Sequence, residues 1–155
     1  MRVLYSSAFD QVVTVRYGGR VAVIDIRTGS VVTSFRVQHR GTGTDGSELR
    51  LGATSRPAPI ELTCASLDAQ GRRLLTGAVD GSIRLWNLSN GAPNRRLVSI
   101  DSELTCACYH PAGGLSHPVV GGAWGGLVSF WRDEGGEEAE DGDKDQGAAG
   151  TLKVA

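Results

Sequence analysis

From Leu62 to Asn87 the chain runs LTCASLDAQGRRLLTGAVDGSIRLWN, and its apolar residues alternate with polar ones in three short runs. Alternation with a period of two over so few residues predicts strands, here at Leu62–Leu67, Arg73–Ala78 and Ser82–Asn87. Asp68 to Arg72, carrying Gly71, forms the first turn. Asp80-Gly81 forms the second, because a two-residue hairpin turn requires central residues that tolerate positive φ. In the third run Ile83 and Leu85 alternate with Ser82, Arg84 and Trp86, so both faces carry apolar groups. Such a strand belongs inside a stack of sheets.

The same pattern occurs twice more. At a shift of 62 positions, Val12, Val13 and Thr14 fall under Leu74, Leu75 and Thr76, Gly19 under Gly81, Ile24 under Trp86, and Gly29 under Gly91. At a shift of 42, Leu104-Thr105-Cys106-Ala107 repeats Leu62-Thr63-Cys64-Ala65. At 45, Val119, Val120, Gly126, Phe130 and Trp131 repeat Leu74, Leu75, Gly81, Leu85 and Trp86, which places a three-residue insertion near 114–118. A unit of about 40–45 residues with four strands is the signature of a propeller blade. The expected fold is therefore all-β: a partial β-propeller of about three four-stranded blades. Residues 1–37 form a degenerate first blade with strands at Arg2–Tyr5, Gln11–Tyr17, Arg20–Asp25 and Ser30–Val37. Residues 60–100 form the second blade and 101–132 a partial third. Residues 38–59, rich in Gly, Ser, Thr and Pro, read as a loop insertion, 133–150 as an acidic disordered linker, and 151–155 as a further strand.

The run LLTGAVDGSIRLWN resembles the WD-repeat family, and the resemblance covers roughly residues 1–132. It implies a hydrogen-bonded set of His, Ser or Thr, Asp and Trp in each blade. Thr76, Asp80 and Trp86 match three of these; the His is missing, and Asn87 stands where the family usually has Asp. The first repeat keeps only Thr14, with Gly18 and Ile24 at the Asp and Trp positions, and the third keeps only Trp131. The longer run GRRLLTGAVDGSIRLWNLSNG, with a Cys-bearing strand and VVGGAWGGLVSFWRD after it, is similar to the large WD-repeat proteins of ciliary and flagellar axonemes. By resemblance, partner-contact positions fall just before the Asp of the second turn, at Tyr17, Val79 and Trp124, with Arg16 and Arg84 as charged contacts. The competing reading of the two aromatics is packing between blades. The implied function is a non-catalytic scaffold for other proteins, cytoplasmic, in an axoneme or another cytoskeletal assembly. The alternative is a peptide-reading adaptor of a signalling or ubiquitin-ligase complex.

Composition narrows the remaining classes. The formal charge of −1 is uneven: residues 133–155 hold eight acids and two bases, −6, which leaves +5 for the rest. The fourteen arginines of that remainder are scattered and form no stripe that would track a phosphate backbone, so no nucleic-acid partner is expected. No apolar stretch is long enough to span a membrane. Three cysteines, an odd number without a secretory signal, suit a reducing compartment. Gly41 to Gly46 spells G-x-G-x-x-G, but no helix fits after it, so no nucleotide site is expected. Asp141, Asp143 and Asp145 copy the start of a calcium loop, yet Gln146 and Leu152 break its later requirements. His39, His110 and His117 are read as loop residues without partners at ligand spacing. Cys106 and Cys108 are read as lying on opposite faces of one strand. No catalytic, cofactor or metal residues are expected. A ring needs four to eight blades, so three leave two apolar flanks open. The chain is therefore expected to be a stretch of a larger propeller, or to be completed by partner chains.

Overall fold

A computed structural model describes residues 1–16, 18–37, 61–97, 99–110, 116–134 and 150–153. They form three four-stranded antiparallel sheets, with no helix among the described residues. The first sheet is β1 (Arg2–Ser6), β2 (Gln11–Val15), β3 (Arg20–Asp25) and β4 (Val31–Arg36), paired in that order. The second is β5 (Leu62–Leu67), β6 (Arg73–Ala78), β7 (Ile83–Asn87) and β8 (Pro93–Leu97), likewise in sequence order. The third is β9 (Leu104–Tyr109), β10 (Ser116–Ala123), β11 (Leu127–Glu134) and β12 (Gly150–Lys153). The first strands lie together: β5 contacts both β1 and β9. This meander of four strands, stacked sheet on sheet with the first strands innermost, is the architecture of propeller blades.

The repeat is exact at the level of register. Gln11 pairs with Asp25 as Arg73 pairs with Asn87, and Val12 with Ile24 as Leu74 with Trp86. Val119 pairs with Trp131 in the third sheet. The turn after the second strand repeats too. Gly19, Gly81 and Gly126 all have positive φ, and the first two donate N–H to Arg16 O (2.9 Å) and Ala78 O (3.0 Å).

Alternation along each strand sends one set of side chains to the preceding blade and the other to the following one. Leu74 and Trp86 meet Val13, Val15, Val21 and Val23 in a core between the first and second sheets. Leu75, Ile83 and Leu85 meet Leu104, Ala107, Val119 and Trp131 in a core between the second and third. Among the described residues the two outward faces have no such cover. On the first sheet Val3 and Tyr5 are 60% and 58% exposed, and Val12 and Ile24, the counterparts of buried Leu74 and Trp86, are only half-buried. On the third, Phe130 is 42% exposed and Val120 half-buried, although their counterparts Leu85 and Leu75 are fully enclosed. The two open apolar flanks expected from three blades are present.

Three local readings change. The strand β11 continues through Asp133 and Glu134, two residues into the stretch read as acidic linker, because their backbones pair with His117 and Ser116. His117 accordingly lies in β10 and not in a loop. Cys106 and Cys108 share a face: residues two apart in a strand point the same way, and Ala107 between them turns to the core while both thiols are exposed. Tyr17, residues 38–59, His39 and the three aspartates Asp141, Asp143 and Asp145 lie outside the described residues.

Candidate functional site

The side chains singled out in the middle sheet sit at its centre and at one end. β6 and β7 are neighbours, so Thr76 and Trp86, two rungs apart on one face, come within reach of each other. The indole Nε1–H donates to Thr76 Oγ1 at 2.9 Å, and the Thr76 hydroxyl donates to Arg84 O at 3.4 Å. Thr14 makes the same contact to Ala22 O at 3.4 Å, but the Trp position there is Ile24, so no indole joins it. Asp80 stands in the β6–β7 turn, where its Oδ1 accepts from Ser82 N (3.0 Å) and Ser82 Oγ (2.6 Å). Thr76 and Trp86 thus meet in the core, and Asp80 shapes the turn beyond them.

Two turn-forming carboxyl and amide groups were missed by motif reasoning. Asp68 is buried, and its Oδ1 accepts the backbone N–H groups of Arg72 (2.8 Å) and Arg73 (3.0 Å). Asn87 Oδ1 accepts from Ser89 N at 3.0 Å, as its counterpart Asp25 accepts from Thr28 N at 2.8 Å. The bonds from Thr28 hold the Asp25 carboxyl below its usual range. An Asx-type cap needs only an acceptor oxygen, so Asn serves at 87 where the family pattern has Asp. The signal available in the sequence was the recurrence of Asp or Asn just before a turn carrying glycine.

The rim positions are brought to equivalent places in adjacent blades. Val79 and Trp124 each donate a backbone N–H to the residue before their blade's first strand, Glu61 O and Glu103 O, both at 3.0 Å. Ser102 Oγ also donates to Trp124 O at 3.0 Å. The backbone is pinned, yet the side chains project: Val79 is 39% and Trp124 66% exposed. Trp124 is not packed between the described blades. Arg16 is exposed at the same turn of the first sheet. Arg84 lies in mid-sheet between Thr76 and Arg96, and partial burial lowers its pKa.

Near the inner strands a cavity of about 290 Å³ is lined by Arg2, Thr63, Cys64 and Glu103 among others. Burial pushes the Cys64 thiol up to about 11, which leaves it protonated and inert at neutral pH. No group of three or more His, Cys, Asp or Glu suited to a metal occurs among the described residues. No helix among them is long and apolar enough to cross a membrane.

Comparisons with known proteins agree with this geometry. The WD domain, G-beta repeat family (WD40) matches residues 55–87, a stretch that includes β5 to β7. The chain is 28% identical over 140 residues to the WD repeat-containing protein on Y chromosome of Drosophila mojavensis, covering 90% of this chain and 10% of that protein. It is 33% identical over 76 residues to the WD40 repeat protein poxJ of Penicillium oxalicum, covering 48% of this chain and 21% of the relative. The chain thus spans between about a tenth and a fifth of the length of these relatives. Among solved structures, the Cps50 (Swd1) beta-propeller domain of Myceliophteria thermophila aligns with TM-score 0.58 at 19% identity, over 83% of this chain and 34% of that one. U3-55K aligns with TM-score 0.70 at 8% identity, over 98% of this chain and 38% of that one. Both likenesses concern the fold.

Proposed function

We propose, from a chain with a WD40 repeat at its centre and propeller geometry in all three sheets, that it is an arc of a larger non-catalytic scaffold for other proteins. WD40 propellers in general bind proteins, and the two uncovered apolar flanks carry the reading here. Each flank repeats, at identical register, a face that is enclosed elsewhere in the same chain, so each is built to receive another blade. That the relatives are far longer than this chain supports further blades in one polypeptide. The resemblance of the 71–91 and 119–133 runs to axonemal WD-repeat proteins supports reading the assembly as that of a cilium, flagellum or other cytoskeletal structure. Thr76, Asp80 and Trp86 serve there as internal struts, and Tyr17, Val79, Trp124 and Arg16 as contact points.

The exposed indole of Trp124 favours a second reading, an adaptor that holds one peptide on the rim, because aromatic anchors dominate small interfaces. Affinity purification of the native protein and its Trp124→Ala variant separates the two. A scaffold whose contacts spread over blade edges and residues 38–59 keeps most partners when Trp124 is truncated. An adaptor loses its partner, with affinity falling by about thirtyfold or more, on the order of a hot-spot loss of at least 2 kcal/mol.

A further inference from the structure

The outer face of the first sheet differs from its counterparts at one end. Arg16 N donates to Arg20 O at 2.8 Å, and Arg20 pairs with Arg36 across β3 and β4. Residues opposite each other on antiparallel strands share a face, so the three arginines form a row with neighbours roughly 5 Å apart. Arg16 follows Val12 and Thr14 at a period of two, and these pair with Tyr5 and Val3, so the row lies on the open face. All three arginines are exposed, and no hydrogen bond or ion pair joins their guanidinium groups to another described residue. Asp10 and Asp25 stand at the far ends of β2 and β3, roughly 16–20 Å along the strands. Glu61 and Asp80 belong to the second sheet, which packs on the opposite face of the first.

The equivalent places in the other sheets are enclosed. At the shift of 62, Arg16 and Arg20 correspond to Ala78 and Ser82, both buried, and Ala78 lies in the core against the first sheet. In the third sheet the same places hold Ala123 and Leu127, which pack toward the second. A blade seated on the first sheet thus meets three guanidinium groups where the other junctions have small or apolar side chains. Enclosing these charges without a counter-charge is strongly unfavourable, whereas carboxylates in reach offset the cost through charge-assisted, bidentate contacts.

We propose that the first flank is keyed by charge: the blade that covers it in the native protein presents carboxylates to Arg16, Arg20 and Arg36. The inference rests on the scaffold reading above and adds the chemistry of the missing neighbour. The junction of the first two sheets shows where those carboxylates stand. There Ala78 shares one cluster with Val15, Val21 and Val37, so the acids fall at the counterparts of these valines in the preceding blade. A second copy of this chain does not fit. Its third sheet would bring Gly122 and Val128 to the places of Val15 and Val21, and neither carries a charge.

Carbodiimide cross-linking of the native protein tests this. Arg16→Lys and Arg20→Lys, made singly, keep the positive charge and supply an amine that the reagent joins only to a carboxylate in contact with it. Mass spectrometry is expected to find the substituted peptide joined to an Asp or Glu outside residues 1–155, in a yield about tenfold or more above that of the urea-unfolded protein. A third variant, Val3→Cys, reports by iodoacetamide labelling whether the face is covered at all. Protection of that cysteine with no cross-link, or with cross-links only to acids within residues 1–155, overturns the charge keying and leaves the scaffold reading standing. Rapid labelling of that cysteine in the folded protein shows the flank open, and the scaffold reading falls with the keying.

Discussion

Trp86→Ala lowers the stability of the folded chain by about 3–5 kcal/mol, the range for truncating a large buried aromatic. Three losses combine. The side chain is almost wholly enclosed in the core between the first and second sheets. Its ring lies 5.8 Å from that of Phe35 on the outer strand of the first sheet, at 32°, so the contact crosses between blades. Its Nε1–H satisfies Thr76 Oγ1 inside the second sheet. Trp86→Phe keeps most of the packing and drops the hydrogen bond, and costs roughly 1–2 kcal/mol. Urea unfolding of both variants gives the ordering. A loss below about 1 kcal/mol for Trp86→Ala would show that the first two sheets do not depend on each other.

Gly81→Ala is nearly as damaging, for a reason unrelated to burial. Gly81 has φ 74°, a conformation that costs an L-residue about 1–2 kcal/mol. A Cβ there would also fall 1.8 Å from Ile100 O and 2.6 Å from Ser102 O. These are backbone atoms of the connection between β8 and β9, and Ile100 N itself donates to Gly81 O at 3.1 Å. The connection has to move, and it carries the docking of the third sheet. The combined effect is about 2–5 kcal/mol, with the overlap contributing on the scale of an overpacked core. Gly125→Ala is the control. It has φ 82° but nothing within 4 Å of a new Cβ, so it shows the conformational cost alone. Equal melting temperatures for the two variants would contradict the close turn–connection contact.

Much of this was legible in the chain. The strands at Leu62–Leu67 and Arg73–Ala78 and the Asp80-Gly81 turn follow from local alternation and turn chemistry, which tertiary context reinforces here. The Thr76–Trp86 contact follows once β6 and β7 pair. The facing of each blade was not legible. Periodicity shows that Leu74 and Leu75 lie on opposite faces, but not which of them meets the first sheet and which the third. The extension of β11 was hidden because Asp133 and Glu134 look like linker, whereas pairing to Ser116 and His117 involves only their backbones.

The central claim is that a further blade covers the outer face of the third sheet in the native protein, and the cysteines report on it directly. Cys106 and Cys108 lie on that face, while Cys64 is buried between the second and third sheets. Iodoacetamide labelling at pH 8, read cysteine by cysteine by mass spectrometry before and after unfolding, distinguishes them. In the 155-residue chain alone, Cys106 and Cys108 are modified and Cys64, its thiol pushed up to about 11, is spared. In the native protein all three are protected until it unfolds. Rapid modification of Cys106 and Cys108 in the folded native protein would contradict the claim, because the face would then be open to water with no blade upon it.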